Sequence, residues 1–149
     1  MKKAGEIMTA AVITVGVETS VQELARLLAE HAISGAPVVD DNGALLGVVT
    51  ENDLIDQSKK LHIPTVVTIL DSVIYLENPD KMEKEMKKMA GSTVGDIFSR
   101  DVVTVNLETP VEEIATIMAE QRIHTLPVLN QDRLVGVIGK RDIIKTLLG

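Results

Sequence analysis

The sequence predicts a mixed α/β (α+β) fold, made of two similar β-α-β-β-α units that pack about a pseudo-twofold axis with a helical insert between them. Two observations predict this fold. The first is an internal repeat, in which segments near the N-terminus recur in the same order about ninety residues later. The second is that short β-rich runs alternate with segments of helical periodicity in each copy. Because one unit alone would expose much apolar surface, we expect the two copies to pack face to face.

The repeat divides the chain into a first unit over residues 5–57, an insert over 58–93 and a second unit over 95–148. The offset between matching residues is 90 as far as residue 40 and 89 from residue 47 onwards, because the first copy has one residue more in its turn. The matching segments include Gly5–Thr9 with Gly95–Ser99, Val12–Val15 with Val102–Val105, Pro37-Val38 with Pro127-Val128, and Asp53–Ile55 with Asp142–Ile144.

Three strands are predicted in each copy from runs rich in β-branched and other apolar residues. The turn residues Asp41-Asn42-Gly43 and Asn130-Gln131-Asp132 join the last two runs of each copy, which indicates a β-hairpin. The predicted strands are Val12–Val15, Pro37–Val39 and Leu45–Val49 in the first copy, and Val102–Val105, Pro127–Leu129 and Leu134–Ile138 in the second.

Two helices are predicted in each copy. Thr19 with Gln22, and Thr109 with Glu112, have the spacing of capping boxes, so we expect the first helices to begin there, with Pro110 at the first helical position. The second helices are expected to follow Thr50 and Gly139 directly. An apolar stripe with the spacing i, i+3, i+4, i+7 predicts the core-facing side of each first helix: Val21, Leu24, Ala25 and Leu28, then Val111, Ile114, Ala115 and Met118.

The insert has no second copy. We predict an apolar helix over Pro64–Leu76 and a charged helix over Asp80–Ala90, with Met82, Met86 and Met89 on one stripe. Such an insert is expected to cover core or dimer surface, and a regulated, partner-binding flap is the alternative.

Composition excludes several classes of function. The chain has 149 residues, no Cys, two aromatic residues and a formal net charge of −7. The charge is of the wrong sign for a nucleic-acid binder, and the lack of Cys excludes thiolate nucleophiles and cysteine zinc sites. No apolar run reaches the roughly 18 residues that span a membrane, and no secretory signal is visible. We therefore expect a cytoplasmic protein that binds neither nucleic acid nor membrane.

Two ordered motifs resemble those of a known family. Gly35–Val39 followed by Gly47–Asp53, and Thr125–Leu129 followed by Gly136–Asp142, are similar to the two halves of a cystathionine-β-synthase (CBS) domain pair, or Bateman module. The resemblance covers about two-thirds of the chain and leaves out the insert. It implies a ligand-binding module, and members of the family bind AMP, ADP, ATP, S-adenosylmethionine, other nucleotides, or no known ligand.

The start of the second helix explains why this spacing suits an adenosine nucleotide. Free backbone N–H groups at Thr50 and the Thr50 hydroxyl can bind a phosphate. Asp53 lies one turn along the helix, where its carboxylate can accept hydrogen bonds from both ribose hydroxyls. Val48 shares a strand face with Thr50 and can form an apolar wall for the base. The alternative is a local capping box, in which Asp53 only satisfies backbone groups.

The second copy departs from this pattern at Gly139, which lacks the hydroxyl. Asp142 is nevertheless present where no side chain completes a capping box, which favours a further role for its carboxylate. Lys140 and Arg141 can compensate for the missing hydroxyl, since Arg binds phosphate in a bidentate manner, or they form an ordinary solvated cluster. We therefore expect the two clefts to differ in affinity.

The family resemblance implies that each cleft joins the Asp-bearing motif of one copy to the early strand and pre-Pro segment of the other. His124 falls where some relatives place a His near the phosphates, whereas Thr125 replaces their neighbouring Arg. The first predicted site consists of Val48, Thr50, Asn52, Asp53, Val102, Val103, Ile123 and His124. The second consists of Val137, Gly139, Lys140, Arg141, Asp142, Ala11, Val12, Ile13, Ile33 and Ser34.

These observations favour a regulatory protein over an enzyme. The three histidines, His31, His62 and His124, lack metal-binding spacing, and no catalytic or phosphate-loop motif occurs. We predict no catalytic residue, no metal site and no required cofactor. The predicted function is a sensor that binds an adenosine nucleotide (AMP, ADP or ATP), forms a homodimer and signals in trans to an unknown protein partner. The alternatives are a structural dimerisation scaffold with degenerate clefts, and a sensor of S-adenosylmethionine or NADH.

Overall fold

The computed structural model describes residues 2–60 and 92–148, with backbone alone at 57–60. Each copy of the repeat contributes a short opening helix, an amphipathic helix, a β-hairpin and a helix directly after the hairpin. In chain order the elements are α1 (Ala4–Ile7), α2 (Val21–His31), β1 (Gly35–Val39), β2 (Leu45–Thr50), α3 (Glu51–Lys60), α4 (Val94–Ile97), β3 (Val105–Asn106), α5 (Val111–Gln121), β4 (Thr125–Asn130), β5 (Arg133–Gly139) and α6 (Lys140–Thr146).

Both predicted hairpins are confirmed. Strands β1 and β2 pair antiparallel, with Pro37 opposite Val48, and β4 and β5 repeat this register with Pro127 opposite Val137. Each hairpin has an irregularity at the same place, after Val38 in the first and after Val128 in the second. The repeat in the sequence is therefore a repeat in register as well.

The opening strands are much shorter than predicted. The run over residues 12–15 forms a single parallel bridge between Val15 and Val38, and the run over 102–105 pairs only from Val105 onwards, in the two-residue β3. Pro37 and Pro127 explain the difference. In a parallel ladder the next hydrogen bond towards the N-terminus requires the N–H of these residues, which proline lacks. The residues before Val15 and Val105 therefore leave the sheet.

The predicted helix caps are wrong by one residue. Helix α2 begins after Ser20, whose hydroxyl accepts from the N–H of Glu23 at 3.0 Å, and α5 begins after Pro110 without a side-chain cap. The hydroxyls of Thr19 and Thr109 instead accept from N–H groups three residues earlier, at Gly16 and Asn106. Both threonines thus close the preceding turn. The core-facing stripes are present, except that Ala25 is exposed.

Each unit completes its core with residues from the opening segment of the other copy. Ala4 of the first copy is fully buried in the second unit, with Ile7 and Met8 packed beside it. Val94 of the second copy is fully buried in the first unit, with Ile97 and Phe98 beside it. The two cores also contain Val15, Leu24, Leu28, Ala36, Val38 and Val49 in the first unit, and Val105, Ile114, Met118, Leu126, Val128 and Ile138 in the second.

Matching backbone hydrogen bonds hold the exchanged segments. The N–H groups of Ala4 and Gly5 donate to the carbonyls of Thr109 and Leu107 at 2.8 and 3.0 Å. The equivalent N–H groups of the second copy, at 94 and 95, donate to the carbonyls at 19 and 17 at 2.8 and 2.9 Å. The exchange is therefore reciprocal, as a pseudo-twofold axis requires.

Strands β1 and β4 meet at this axis. Gly35 and Thr125 are equivalent residues of the two copies, and a Cβ atom on Gly35 would lie 2.7 Å from Thr125 Oγ1. A glycine is needed here because the two strands approach so closely. The Ser34 and Thr125 hydroxyls also lie 3.5 Å apart, which links the two units at their centre.

The predicted helical insert over residues 58–93 falls mostly outside the described residues. Helix α3 continues to Lys60, and residues 92 and 93 join the second unit to the first, since Thr93 forms a β-bridge with Ser20. The predicted helices over 64–76 and 80–90 lie outside the residues that the structure describes.

Candidate functional site

Two cavities flank the centre of the module, and each contains one of the two aspartates that the sequence singles out. The Asp53 cavity has a volume of about 200 Å³ and the Asp142 cavity a volume of about 220 Å³. Ser34, His124 and Thr125 line both cavities and so form a shared wall at the pseudo-twofold axis. Each cavity therefore joins residues of both copies of the repeat.

All eight residues of the first predicted site lie on the wall of the Asp53 cavity. They come from the end of β2, the start of α3, the segment before β3 and the segment before β4. The wall consists of Ser34, Val48, Thr50, Glu51, Asn52, Asp53, Ser99, Asp101, Val102, Val103, Arg122, Ile123, His124 and Thr125.

Nine of the ten residues of the second predicted site lie on the wall of the Asp142 cavity. Val12 does not, although Ala11 and Ile13 on either side of it do, as alternating side chains along a non-helical segment would give. The wall consists of Thr9, Ala11, Ile13, His31, Ala32, Ile33, Ser34, Gly35, Pro37, His124, Thr125, Val137, Gly139, Lys140, Arg141, Asp142 and Lys145.

Asp53 forms the capping box that was the alternative to ligand binding, but only one of its oxygens takes part. Asp53 Oδ2 accepts from the Thr50 N–H at 2.8 Å and from the Thr50 hydroxyl at 3.2 Å. The Asp53 N–H faces Thr50 Oγ1 at 3.4 Å. Within the described part of the chain, no group donates to Asp53 Oδ1. The capping bonds therefore hold the carboxylate in place through Oδ2 alone.

Asp142 is held differently. Its Oδ2 accepts from the Gly139 N–H at 2.8 Å, and its Oδ1 accepts from the Thr9 hydroxyl at 3.4 Å. Because Gly139 has no side chain, the return bond of a capping box is missing. The Thr9 contact is long for an O–H···O bond and is weak enough for a ligand hydroxyl to replace it.

The charges on the two walls are opposite in sign. Three cations and one carboxylate line the Asp142 cavity, whereas three carboxylates and one cation line the Asp53 cavity. The charged residues are Lys140, Arg141, Lys145 and Asp142 in the former, and Glu51, Asp53, Asp101 and Arg122 in the latter.

Several residues on these walls were not predicted from the sequence. The repeat offset could have identified Asp101, because it is the equivalent of the predicted residue Ala11. Arg122 could have been identified as the neighbour of the predicted residue Ile123. Glu51 lies between two predicted residues, Thr50 and Asn52. His31 and Lys145 are placed by helix geometry and carry no comparable signal.

The described ranges contain neither a cluster of metal ligands nor a membrane span. Among residues 2–60 and 92–148, no three His, Cys, Asp or Glu side chains come together as a metal site would require. No helix in those ranges combines the length and the apolar character needed to cross a membrane.

Comparison with known proteins assigns the family. The model of the CBS domain matches residues 4–60 and again residues 94–149. The chain belongs to the CBS domain family. The two matches correspond to the two units described above, so the fold is that of a CBS pair, or Bateman module.

Curated relatives are longer than this CBS pair. The CBS domain-containing protein CBSX2 of Arabidopsis thaliana, a chloroplastic protein, is 29% identical over 135 residues, which cover 87% of this chain and 56% of CBSX2. Inosine-5′-monophosphate dehydrogenase of Methanocaldococcus jannaschii is 30% identical over 146 residues, which cover 97% of this chain and 23% of that enzyme. The chain therefore spans about half of the first relative and about a quarter of the second.

Solved structures of CBS pairs match almost the whole chain. CBSX2 in complex with AMP has a TM-score of 0.74 at 26% identity, covering 99% of this chain and 97% of that one. The CBS pair of protein MJ0100, in complex with 5′-methylthioadenosine and S-adenosylmethionine, has a TM-score of 0.68 at 25% identity, covering 99% and 100%.

Proposed function

We propose that this CBS pair is a regulatory module that binds an adenosine nucleotide (AMP, ADP or ATP) in its clefts and signals in trans to a protein partner. The observation that carries the proposal is the pair of equivalent carboxylates of Asp53 and Asp142, each held at Oδ2 by a backbone N–H at 2.8 Å and each on the wall of a cavity. A fixed carboxylate acceptor suits the vicinal hydroxyls of ribose.

The remaining wall residues fit the other parts of a nucleotide. Val48, Val103 and Ile123 are half-buried and give the Asp53 cavity an apolar surface for the base. In the Asp142 cavity, Ile13 and Ile33 provide that surface, and Lys140 and Arg141 are close to the start of α6, where they can bind phosphate oxygens. Because α6 has only seven residues, these side chains matter more than the helix dipole.

The relatives support an adenosine-containing ligand. CBSX2 has been solved with AMP, and the MJ0100 pair with 5′-methylthioadenosine and S-adenosylmethionine. S-adenosylmethionine is therefore the main alternative for this chain, with NADH and a ligand-free scaffold as the others. We propose that the protein requires no cofactor.

We propose a non-enzymatic role, located in the cytoplasm. The support is that CBSX2 is named for its CBS domains alone, whereas the dehydrogenase is matched over only 23% of its length.

We also propose that the protein is a homodimer. Ile55 on α3 and its repeat equivalent Ile144 on α6 are 62% and 54% exposed, and Leu147 and Leu148 at the end of α6 are more than 80% exposed. Large aliphatic side chains at equivalent places on two helices are typical of a face that a second copy covers.

Calorimetry on three aspartate variants tests ligand binding. Asp96 is a matched control, because its Oδ2 accepts from the Thr93 N–H at 2.9 Å in the same capping geometry as Asp53, but it lines neither cavity. We expect Asp96→Ala to cost as much stability as Asp53→Ala while binding AMP, ADP or ATP like wild type. At least one of Asp53→Ala and Asp142→Ala should weaken the binding of an adenosine ligand at least tenfold.

Two results would count against the proposal. If Asp53→Ala and Asp142→Ala both bind like wild type, the ribose assignment is wrong. If none of AMP, ADP, ATP, S-adenosylmethionine and NADH binds to the wild-type protein, the scaffold alternative is favoured.

A further inference from the structure

The opposite charges of the two cavities can be traced to individual positions of the repeat. They result from substitutions between equivalent residues, so the same position of the wall carries different charges in the two copies. Glu51 of the Asp53 cavity is the equivalent of Lys140, and Asn52 is the equivalent of Arg141. Asp101 is the equivalent of Ala11, which carries no charge.

Both cavities have the features that are proposed to bind the nucleoside. Each has its aspartate one turn into the helix, with Oδ2 held at 2.8 Å by the N–H of the residue before that helix. Each also has a valine on the strand before it, Val48 or Val137. The copies therefore differ mainly where the 5′ substituent of a nucleoside would extend past the helix start.

From this difference we infer that the cavities sort adenosine ligands by the charge of the 5′ substituent, an inference that depends on the proposed function. The Asp142 cavity binds a nucleoside polyphosphate. The Asp53 cavity binds an adenosine derivative whose 5′ substituent is uncharged or cationic. One module of this kind binds two classes of ligand at the same time, one in each cavity.

Electrostatics carries the inference. A cleft lined by charges of one sign concentrates the field at its centre and selects ligands of the opposite sign. A triphosphate in the Asp53 cavity would face Glu51 and Asp101 as well as Asp53, with only Arg122 to offset them. Like charges brought together in a partly desolvated site are unfavourable, whereas Lys140, Arg141 and Lys145 offer charge-assisted hydrogen bonds in the other cavity.

Two successive titrations test the inference. ATP titrated into the wild-type protein should fill one site per chain, with an affinity that falls as salt is added, because the interaction is largely ionic. S-adenosylmethionine, a cationic sulfonium, or uncharged 5′-methylthioadenosine should then bind at one further site in the ATP-saturated protein. Asp142→Ala should weaken ATP binding at least tenfold, and Asp53→Ala should remove only the second ligand.

A charge exchange at one equivalent position provides the matched variants. Lys140→Glu should weaken ATP binding at least tenfold, and Glu51→Lys should create a second ATP site and weaken S-adenosylmethionine binding. Thermal melts check that both variants are folded, since both side chains are exposed.

The results separate this inference from the proposed function. If ATP fills two sites in the wild-type protein, if Asp53→Ala rather than Asp142→Ala removes ATP binding, or if the charge exchange leaves both ligands unchanged, the sorting is refuted and nucleotide binding stands. If no adenosine compound binds to the wild-type protein at all, the proposed function fails and the sorting fails with it.

Discussion

Thr9 and Val137 exchange a pair of backbone hydrogen bonds, with N···O distances of 2.8 and 3.0 Å, although they belong to different copies of the repeat. Their equivalents Ser99 and Val48 do the same at 3.0 Å in each direction. Each pair extends the hairpin of one unit with a residue of the other and ends at a cavity wall. The opening segment of each copy thus completes both a core and a site in the opposite unit.

The exchanged segments lead to the first prediction. We expect Val94→Ala to destabilise the protein by about 1–3 kcal/mol, because it removes two methyl groups from a fully buried position. Local opening should become more frequent in the first unit, although Val94 belongs to the second copy. Hydrogen exchange of the Val49 amide would register it, and Val17→Ala, at a site that is 37% exposed, is the control. Faster hydrogen exchange confined to β4 and β5 would contradict the packing of the Val94 segment in the first unit.

A second prediction concerns the glycines beside those segments. A Cβ on Gly47 would lie 2.1 Å from the Ser99 carbonyl oxygen, whereas a Cβ on the equivalent Gly136 would lie 2.3 Å from Met8 Sδ. The backbone cannot give way as a methionine side chain can. We expect Gly47→Ala to cost about 3 kcal/mol and Gly136→Ala about 1 kcal/mol in the free energy of unfolding.

Denaturant titration would measure both glycine variants, with Gly43→Ala as a control for backbone conformation alone. Gly43 has a φ of +83°, and a Cβ at this position would have no other atom within 4 Å, so its substitution should cost about 1 kcal/mol through strain only. If Gly47→Ala and Gly136→Ala lower the free energy of unfolding by the same amount, the predicted difference between the backbone and side-chain contacts is wrong.

The third prediction concerns the shared wall of the cavities. His124 lines both, while His31 lines the Asp142 cavity and not the Asp53 cavity. We expect His124→Ala to change ligand affinity several-fold at both cavities and His31→Ala to change it at one. Calorimetry with ATP and S-adenosylmethionine would measure this, and an effect of His124→Ala at a single cavity would refute it.

The fourth prediction tests the dimer. We expect Ile55→Glu and Ile144→Glu to shift the protein towards the monomer, because each places a charge on the exposed aliphatic face. Sedimentation velocity would detect the shift, and Glu30→Gln, at an exposed residue of α2, is the control. A wild-type protein that is monomeric at high concentration would exclude the dimer.

The sequence predicts the parts of the fold that depend on local patterns. The hairpins follow from apolar runs around the turns at 41–43 and 130–132, where Gln131 and Asp132 have the positive φ of 52° and 66° that a tight hairpin turn requires. The helix starts were missed by one residue, because Thr19 and Ser20 can both cap and only the path of the chain decides between them. The opening strands were predicted to be too long. The run over residues 12–15 lies beside Pro37, which has no N–H to continue the parallel ladder, and this neighbour is known only from the fold.

The exchanged segments could not be predicted in the same way. Gly5–Thr9 and Gly95–Ser99 follow the same pattern of small, acidic, apolar and hydroxyl residues, so their sequences do not indicate which unit each one packs in. Only the packing of the whole module selects the opposite one. The positions of seventeen of the eighteen predicted site residues on the cavity walls follow from the repeat and the family resemblance together. Their role in binding stays a prediction.

The reciprocal burial of Ala4 and Val94 has a consequence for how the protein melts. If either unit unfolds, it removes a buried residue from the hydrophobic core of the other unit. The two units are therefore expected to unfold in one transition. Occupation of a single pocket then raises the melting temperature of the entire chain by mass action. A ligand bound in one cavity would in this way stabilise both units against unfolding.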